Sequence, residues 1–212
     1  MGLYRMGPSE DLVFALKQKA VADAFVETGT FLGDTAAWAS KYFSQVVTIE
    51  LSPHYYAEAQ ARFNQTPVVR AMQGESAKVL RELVPTLKGP AFFWLDAHWS
   101  GLDTAGREAE CPLLEEIGIL NESSADHILL VDDARLFCAP PPLPHRIGDW
   151  PGLASVTAAL HDGGRRYVVL YEDVFVAMPV VHAGYMSEWL QRHPPRLVIE
   201  GRLTRLSRRI FG

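Results

Sequence analysis

Three carboxylates follow two apolar runs of the sequence, at the points where those runs stop. One run is followed by Asp96, and a later run is followed by Asp132 and Asp133. If the two runs are neighbouring parallel strands, the three side chains meet in one crevice. Like charges at such short range repel unless protons or a cation neutralise them, and oxygen ligands suit Mg²⁺ or a similar divalent ion. We therefore predict a divalent-cation site on Asp96, Asp132 and Asp133, although a single strand-end aspartate is more often a cap or a solvated acid.

His98 lies two residues beyond Asp96, on the same predicted loop. Histidine changes protonation near neutral pH, so it serves as a general base or as a further metal ligand. A structural histidine that is hydrogen-bonded within its own loop explains the sequence equally well. We take His98 and Asp96 as the candidate catalytic residues.

A glycine-containing turn follows the first apolar run, in the sequence Glu27-Thr28-Gly29-Thr30-Phe31-Leu32-Gly33-Asp34-Thr35. Glycines let the backbone approach a ligand closely, and the start of a helix offers free N–H groups. A dinucleotide fingerprint would need glycines where this chain has Phe31 and Asp34, so close approach to a pyrophosphate is poorly supported. Glu50 ends the second run, where an acid can accept hydrogen bonds from both hydroxyls of a ribose. Together, the turn and Glu50 favour a nucleoside-binding site over the alternative that Glu50 is an ordinary acid at the end of a strand.

The third apolar run leads into a short polar turn, Gln73-Gly74-Glu75-Ser76. This turn is expected at the same sheet edge as Glu50, where its polar groups could read the edge of an adenine. Capping of the next helix is an equally good reason for these residue types.

These residues are positioned by short β-rich runs that alternate with helix-like segments between residues 24 and 180. Such alternation predicts a parallel sheet with helical crossovers. The predicted strands are 24–28, 46–51, 68–72, 91–96, 128–132, 167–171 and 174–180. The predicted helices are 34–43, 53–63, 75–83, 112–120 and 153–161.

The last two predicted strands are separated only by Glu172 and Asp173, which is too short for a crossover helix. They must therefore form an antiparallel hairpin. Glu-Asp is not a favoured hairpin dipeptide, so we expect a somewhat longer or irregular turn. The predicted fold class is α/β: a single-domain, Rossmann-like, doubly wound seven-stranded sheet, mostly parallel, with a C-terminal antiparallel hairpin strand.

The predicted domain spans residues 21–181, between an N-terminal helical segment, 1–20, and a basic C-terminal extension, 182–212. The proline-rich segment 139–151 follows the fifth strand and is either a lid over the ligand crevice or a rigid connector. The six arginines of 192–212 favour a packed or solvated terminal element over an anion-binding arm.

The composition excludes several classes of protein. The chain has 212 residues, of which 48% are hydrophobic, so it can bury a core as one domain and differs from a disordered chain. A formal net charge of -5 argues against binding of nucleic acid through the overall charge of the protein. Cys111 and Cys138 fit neither a CxxC spacing nor a disulfide framework, which favours a reducing, cytoplasmic compartment. We predict no signal peptide and no membrane span.

On these residues the chain resembles the class I S-adenosylmethionine-dependent methyltransferases, over about residues 20 to 180. Within that class it resembles the metal-dependent O-methyltransferases typified by catechol O-methyltransferase. The family's first loop reads E-x-G-x-x-x-G-x-[ST], which this chain matches position for position. The resemblance implies that the residues binding S-adenosylmethionine are Glu27, Gly29, Thr30, Gly33, Thr35, Glu50, Ser76 and Asp96.

The family's metal ligands fall on Asp96, Asp132 and Asp133 of this sequence. The resemblance implies that a cation on these residues binds an acceptor hydroxyl, and that His98 takes its proton. Catechol-type enzymes carry a lysine three residues after the fourth-strand aspartate, where this chain has Trp99, so catechol is not the predicted acceptor. The segment 96–116 also looks like a subgroup of bacterial methyltransferases.

The leading hypothesis is methyl transfer from S-adenosylmethionine to a hydroxyl of a small molecule or sugar, with Mg²⁺ or another divalent cation. A metal-independent methyltransferase is the nearest alternative. An NAD(P)-dependent oxidoreductase is disfavoured by Phe31, by Asp34 and by the absence of a Y-x-x-x-K pair. A non-catalytic protein that binds S-adenosylmethionine also stays open. The expected partner is a small hydroxylated acceptor, with a homodimer as a further expectation; membrane and nucleic acid are not expected partners.

Overall fold

A computed structural model describes residues 7–99, 101 and 105–195 of the chain. Within these residues, seven strands form one sheet in the order 3-2-1-4-5-7-6. The first five strands are parallel, and the seventh is antiparallel to both of its neighbours. The strands are β1 (Ala24–Thr28), β2 (Gln45–Glu50), β3 (Val69–Gln73), β4 (Ala91–Leu95), β5 (Ile128–Val131), β6 (Arg166–Tyr171) and β7 (Val174–Pro179).

The same part of the chain contains eight α-helices, most of which connect successive strands. They are α1 (Glu10–Lys17), α2 (Asp34–Ala39), α3 (Pro53–Phe63), α4 (Ser76–Leu83), α5 (Leu113–Asn121), α6 (Arg135–Cys138), α7 (Leu153–His161) and α8 (Ala183–Arg192). The fold class predicted from the sequence is confirmed. The predicted helix 34–43 is shorter than expected, because α2 ends at Ala39 and a turn follows it.

Both faces of the sheet are covered by helices, which explains why its central strands are apolar along their whole length. In β4, Phe92 and Trp94 pack on one side with residues of α1, α2 and α3. Phe93 and Leu95 pack on the other side with residues of α4, α5 and α7. All four side chains are buried. The carboxyl ends of β1 to β5 therefore form an edge that lies between two layers of helices.

The hairpin between β6 and β7 is tighter than predicted. Tyr171 pairs directly with Val174, so Glu172 and Asp173 alone make the turn, and the expectation of a longer turn was wrong. Both turn residues have positive φ, +47° and +69°, as a two-residue turn between twisted strands requires. Hydrogen bonds from the loop after β5 offset the backbone strain, because the Asp173 carbonyl accepts from Ala134 N at 2.8 Å.

The chain termini are partly described. α1 lies within the predicted N-terminal helical segment, and residues 1–6 lie outside the described part of the chain. α8 lies near the start of the predicted C-terminal extension. Residues 196–212, which carry most of the arginines of that extension, also lie outside the described part of the chain. None of the helices in the described ranges is long and apolar enough to cross a membrane.

Candidate cofactor and active site

The glycine turn after β1 is pressed against the loop that follows β4. Gly29 has a φ of +87°, and a Cβ built on it would stand 2.3 Å from the carbonyl oxygen of Asp96. Only glycine fits such an approach. Gly33, with a φ of +81°, is packed against the ring of Phe63 instead. The first glycine therefore joins two of the predicted site loops, and the second fits the turn against α3.

Glu50, at the end of β2, faces this turn and is 8% exposed. One carboxylate oxygen, Oε2, accepts hydrogen bonds from the backbone N–H groups of Thr30 and Phe31, at 3.1 and 2.9 Å. The other, Oε1, accepts from Ser52 N at 2.8 Å. A carboxylate offers about four acceptor positions, so three are used within the protein. The structure thus gives Glu50 a role in shaping the turn, which the sequence did not predict.

Glu27 lies beneath the turn rather than at its surface. The Thr48 hydroxyl donates to Glu27 Oε2 at 2.6 Å and shares a second hydrogen bond with the Thr30 hydroxyl, also 2.6 Å long. Thr35 also hydrogen-bonds to this carboxyl group. Burial raises the pKa of Glu27 to about 8, so the group is mainly neutral at pH 7. Three of the predicted cofactor residues are therefore linked in one buried network.

Ser76, the first residue of α4, is also buried. Its hydroxyl hydrogen-bonds to the carboxyl group of Glu116 on α5, as does the hydroxyl of Thr28. Thr28 Oγ1 also accepts a hydrogen bond from Asp96 N at 3.3 Å. The predicted adenine residue therefore contacts the ends of β1 and β4 through a buried acid that the sequence did not single out.

The structure brings His98 together with two of the three predicted aspartates. Its Nδ1 lies 3.5 Å from Asp96 Oδ1, and its Nε2 lies 3.3 Å from Asp133 Oδ2. The His98 side chain is only 6% exposed, whereas that of Asp96 is 32% exposed. The imidazole is therefore held between two carboxylates, and the Asp96 side is the more open one.

The third aspartate and a cation complete this cluster. Asp132 Oδ1 accepts from Asp133 N at 2.8 Å. Asp133 Oδ1 accepts from the Arg135 guanidinium at 2.7 Å, and Arg135 also pairs with Asp173 at the tip of the β6–β7 hairpin. Asp133 has a φ of +53°, a backbone conformation that residues other than glycine rarely adopt. Sequence reasoning missed Arg135, although it lies only two residues beyond Asp133.

These contacts do not fit the predicted divalent-cation site. Both oxygens of Asp133 are used by His98 and Arg135. Across residues 7–99, 101 and 105–195, no group of three His, Cys, Asp or Glu side chains is arranged to hold a metal ion. Pairing with His98 and Arg135 neutralises charge on Asp133 that a bound cation would otherwise neutralise. The predicted Mg²⁺ site is therefore unsupported, and the charges are balanced by protein cations instead.

The electrostatics of the cluster follow from burial and from these pairs. Burial raises the pKa of Asp132, and the neighbouring aspartates add to the effect. Burial opposes ionisation of Asp133 too, but hydrogen bonds from His98 and Arg135 outweigh it and lower the pKa of Asp133. Burial disfavours the charged form of His98, but its contacts with the carboxylates outweigh this and raise the pKa of His98. The histidine is thus paired with an ionised Asp133.

The proline-rich segment 139–151 packs against the cluster. Buried Glu110 accepts hydrogen bonds from Trp150 Nε1 at 2.8 Å and from Arg146 N at 3.1 Å. His145 Nδ1 lies 3.2 Å from the same carboxylate. The Trp150 ring in turn meets His98 edge to face, with ring centroids 5.3 Å apart. We call these contacts of Glu110 with Trp150, Arg146 and His145 the Glu110 clasp.

The Glu110 clasp was not predicted, because Glu110 lies 35 to 40 positions before its partners in the sequence. Whether the segment acts as a lid or as a connector stays a prediction. The loop residues Asp103 and Thr104, in the segment that looks like a bacterial methyltransferase subgroup, lie outside the described part of the chain.

Comparisons with known proteins support the fold. No family model matches the sequence, and a search of curated proteins finds no match. Among solved structures, an O-methyltransferase from Bacillus cereus in complex with SAH is 14% identical, with a TM-score of 0.59 over 83% of each chain. The SAH-bound methyltransferase PaMTH1 from Podospora anserina is 20% identical, with a TM-score of 0.54 over 79% of this chain and 75% of that chain. At these identities the similarity is one of fold, and it confirms the predicted Rossmann-like, seven-stranded α/β fold.

Proposed function

We propose that this protein is an S-adenosylmethionine-dependent methyltransferase that methylates a hydroxyl group of a small molecule. One observation carries the proposal: Gly29, Glu50 and His98 converge at the carboxyl edge of a sheet with the methyltransferase strand order. Ligands of open α/β sheets bind at this edge. The similar structures from Bacillus cereus and Podospora anserina hold SAH, the product form of this cofactor.

The residues at this edge suit a nucleoside with a charged amino-acid tail. When bound, S-adenosylmethionine supplies a methyl group on a positively charged sulfur, which is reactive without further activation. The missing side chain at Gly29 lets the loop after β4 lie directly against the glycine turn, so that both loops meet at this edge. Glu50 keeps about one acceptor position for a ribose hydroxyl, beyond the three hydrogen bonds that it accepts within the protein.

The protein's remaining task is to deprotonate and aim the acceptor. In the proposed reaction, the Nε2–H group of His98 keeps its proton and donates a hydrogen bond to Asp133, and Nδ1, on the more open side, takes the proton of the acceptor hydroxyl. Asp133 then stabilises the imidazolium, and Arg135 keeps the carboxylate in place. In this arrangement the buried Asp133 orients His98 as the base. This proposal assigns no step to a metal ion, because His98 and Arg135 already balance the charge of Asp133.

The test is turnover with a panel of hydroxylated sugars, phenols and natural-product scaffolds, with formation of S-adenosylhomocysteine as the readout. His98→Ala should lower turnover by about 10² to 10⁴ while its affinity for S-adenosylhomocysteine stays near that of the wild type. His54→Ala, which alters an exposed histidine on α3, is the matched control. Binding of NADH in place of S-adenosylhomocysteine would instead support the oxidoreductase alternative. Cofactor binding without turnover on any acceptor would support a binding protein.

A further inference from the structure

The two carboxylates beside His98 leave the orientation of its ring incompletely fixed. Its nitrogens lie 3.5 Å from Asp96 and 3.3 Å from Asp133, whereas strong charge-assisted hydrogen bonds are about 2.7–2.9 Å long. A general base must present one nitrogen to its substrate in a set direction, and a misplacement of about 1 Å can cost about 10² in rate. Another contact must therefore hold the imidazole in place.

The indole of Trp150 supplies that contact. It is buried, and its ring meets the imidazole of His98 edge to face, with centroids 5.3 Å apart. Aromatic rings pack favourably in this arrangement, so the contact resists rotation of the imidazole. Trp150 itself packs against Phe137, with ring centroids 5.5 Å apart. The position of the indole therefore helps to set the position of the imidazole.

Glu110 joins the indole to the loop that carries His98. Its carboxylate accepts a hydrogen bond from Trp150 Nε1 at 2.8 Å. Its backbone carbonyl accepts a hydrogen bond from Trp99 N, also at 2.8 Å. Trp99 directly follows His98 in the sequence. One buried residue thus holds both the chain next to the imidazole and the ring that packs on it.

The charge of Glu110 makes this link a firm one. Burial opposes ionisation of the carboxyl group, but hydrogen bonds from Trp150, Arg146 N and His145 outweigh it and lower the pKa of Glu110. Glu110 is only 1% exposed, so water does not readily replace a lost donor. Leaving a buried charge without its donors is costly, which restricts the indole to the geometry that keeps its hydrogen bond.

We propose that Glu110 is a positioning residue for His98, and that it holds the imidazole in its reactive orientation through Trp150. This inference rests on the proposed function, since it takes His98 as the base. It gives the proline-rich segment 139–151 the task of bringing Trp150 to the imidazole. The Glu110 clasp then serves the reaction as well as the fold.

The first test is a double-mutant cycle on kcat, with an acceptor from the panel of hydroxylated compounds. Glu110→Gln keeps the size of the side chain but removes its charge and one acceptor oxygen. It should lower kcat by about tenfold or more, while KM and the affinity for S-adenosylhomocysteine stay within about threefold of wild type. Trp150→Leu should have a similar effect. The double variant should lose little more than either single variant, because Glu110 acts through the indole.

Two further variants separate positioning from general stability. Trp150→Phe keeps an aromatic ring but lacks the N–H group, so its kcat should lie between those of the wild type and Trp150→Leu. Glu108→Gln alters an exposed acid in the same loop and should leave kcat unchanged. Melting temperatures of all variants show whether each protein is folded in the assay.

A second measurement needs no acceptor. In protein with ¹³C-labelled histidine rings, the NMR resonance of His98 is the one that His98→Ala lacks. Trp150→Leu should shift this resonance at constant pH, because it removes the ring current of the neighbouring indole. Glu110→Gln should also shift or broaden it, because the indole is no longer held in one place. Glu108→Gln should leave it at the wild-type position.

The outcomes separate the two proposals. A double variant whose loss of kcat is the product of the two single losses overturns the role of Glu110, as does an unchanged His98 resonance in Glu110→Gln. Equal losses of kcat, cofactor affinity and melting temperature also overturn it and indicate a structural clasp. If no acceptor is methylated, the proposed function fails, and the resonance still decides whether Glu110 orients the ring of His98.

Discussion

The α-carbon of Gly29 lies so close to the backbone of Asp96 that a methyl group cannot be placed between them. The built Cβ would stand 2.3 Å from the Asp96 carbonyl oxygen and 2.9 Å from its carbonyl carbon. Asp96 N also donates to Thr28 O at 3.1 Å, so a hydrogen bond joins the two loops at the residue before the glycine. The contact links the proposed cofactor turn to the loop that carries His98.

Gly29→Ala should therefore disrupt the site. The positive φ alone costs of order 1–3 kcal/mol for a residue with a Cβ, and the overlap adds to it. We expect a lower melting temperature and at least a tenfold loss of affinity for S-adenosylhomocysteine, about 1.4 kcal/mol or more. Gly118→Ala in α5 is the control, because nothing lies within 4 Å of its built Cβ. That variant should be stabilised by about 0.5–1 kcal/mol. Wild-type binding by Gly29→Ala would place the cofactor elsewhere.

Glu50→Ala should weaken S-adenosylhomocysteine binding by tenfold or more. A charge-assisted hydrogen bond to a ribose is worth about 1.5–3 kcal/mol. The unliganded variant should also lose stability, because the N–H groups of Thr30, Phe31 and Ser52 lose their acceptor. Calorimetry of binding and urea unfolding of the free protein measure the two effects separately. Glu58→Ala, at an exposed position on α3, should change neither. Unchanged affinity in Glu50→Ala would mean that the ribose binds another group.

Turnover should persist in EDTA, and titration of Mg²⁺ should give no saturable heat at submillimolar concentration. The physical reason is that Asp133 is already paired with His98 and Arg135. Loss of activity in chelator, with recovery on adding Mg²⁺ or Mn²⁺, would restore the metal-dependent hypothesis. In that case Asp132→Asn should abolish the recovery.

Glu27 should make the protein less stable as the pH rises. Its folded pKa is about 8 and its reference value is 4.5, so the native state holds a proton that the unfolded chain releases between these values. The stability that this proton contributes is complete below pH 4.5 and is lost as the pH rises through 8, with a slope of at most about 1.4 kcal/mol per pH unit.

Glu27→Gln cannot ionise, so its free energy of unfolding should fall less between pH 5 and pH 9 than that of the wild type. Urea unfolding at pH 5, 7 and 9 measures this difference. Glu82→Gln, at an exposed position on α4, should keep the wild-type dependence. Parallel curves for wild type and Glu27→Gln would show that Glu27 is ionised in the folded protein.

The sequence predicted the sheet and the meeting of its strand ends, because both follow from local patterns. Apolar runs gave the seven strands, and the rule that parallel strands end at one edge brought His98 near Asp96 and Asp133. The pairing of Arg135 with Asp173 has no such pattern, since it depends on how the β6–β7 hairpin docks on the loop after β5. The Mg²⁺ prediction failed to find support for the same reason. The acids at the strand ends can be read from the sequence, but the pairing of the Arg135 guanidinium with Asp133 cannot.

The Glu110 clasp and Glu116 were missed for a different reason. Glu116 lies in an apolar helix segment where its neighbours predict only a buried face, and nothing local shows that Ser76 and Thr28 reach it. Glu110 is one acid in a polar loop, and its partners come from a segment that the prolines mark only as irregular. Contacts between loops are set by the tertiary fold, which single-sequence patterns describe least well.

The position of β7 has a consequence for the order of events during synthesis. β7 is synthesised last of the seven strands but lies between β5 and β6 in the sheet. β6 therefore cannot join the sheet until β7 has been synthesised. Until then the nascent chain exposes the edge of β5, which is an open template for pairing with another chain. The loop bearing Asp133 gains its bonds to Asp173 only at that stage. The late insertion of β7 therefore covers the edge of β5, and it also completes the surroundings of the proposed base.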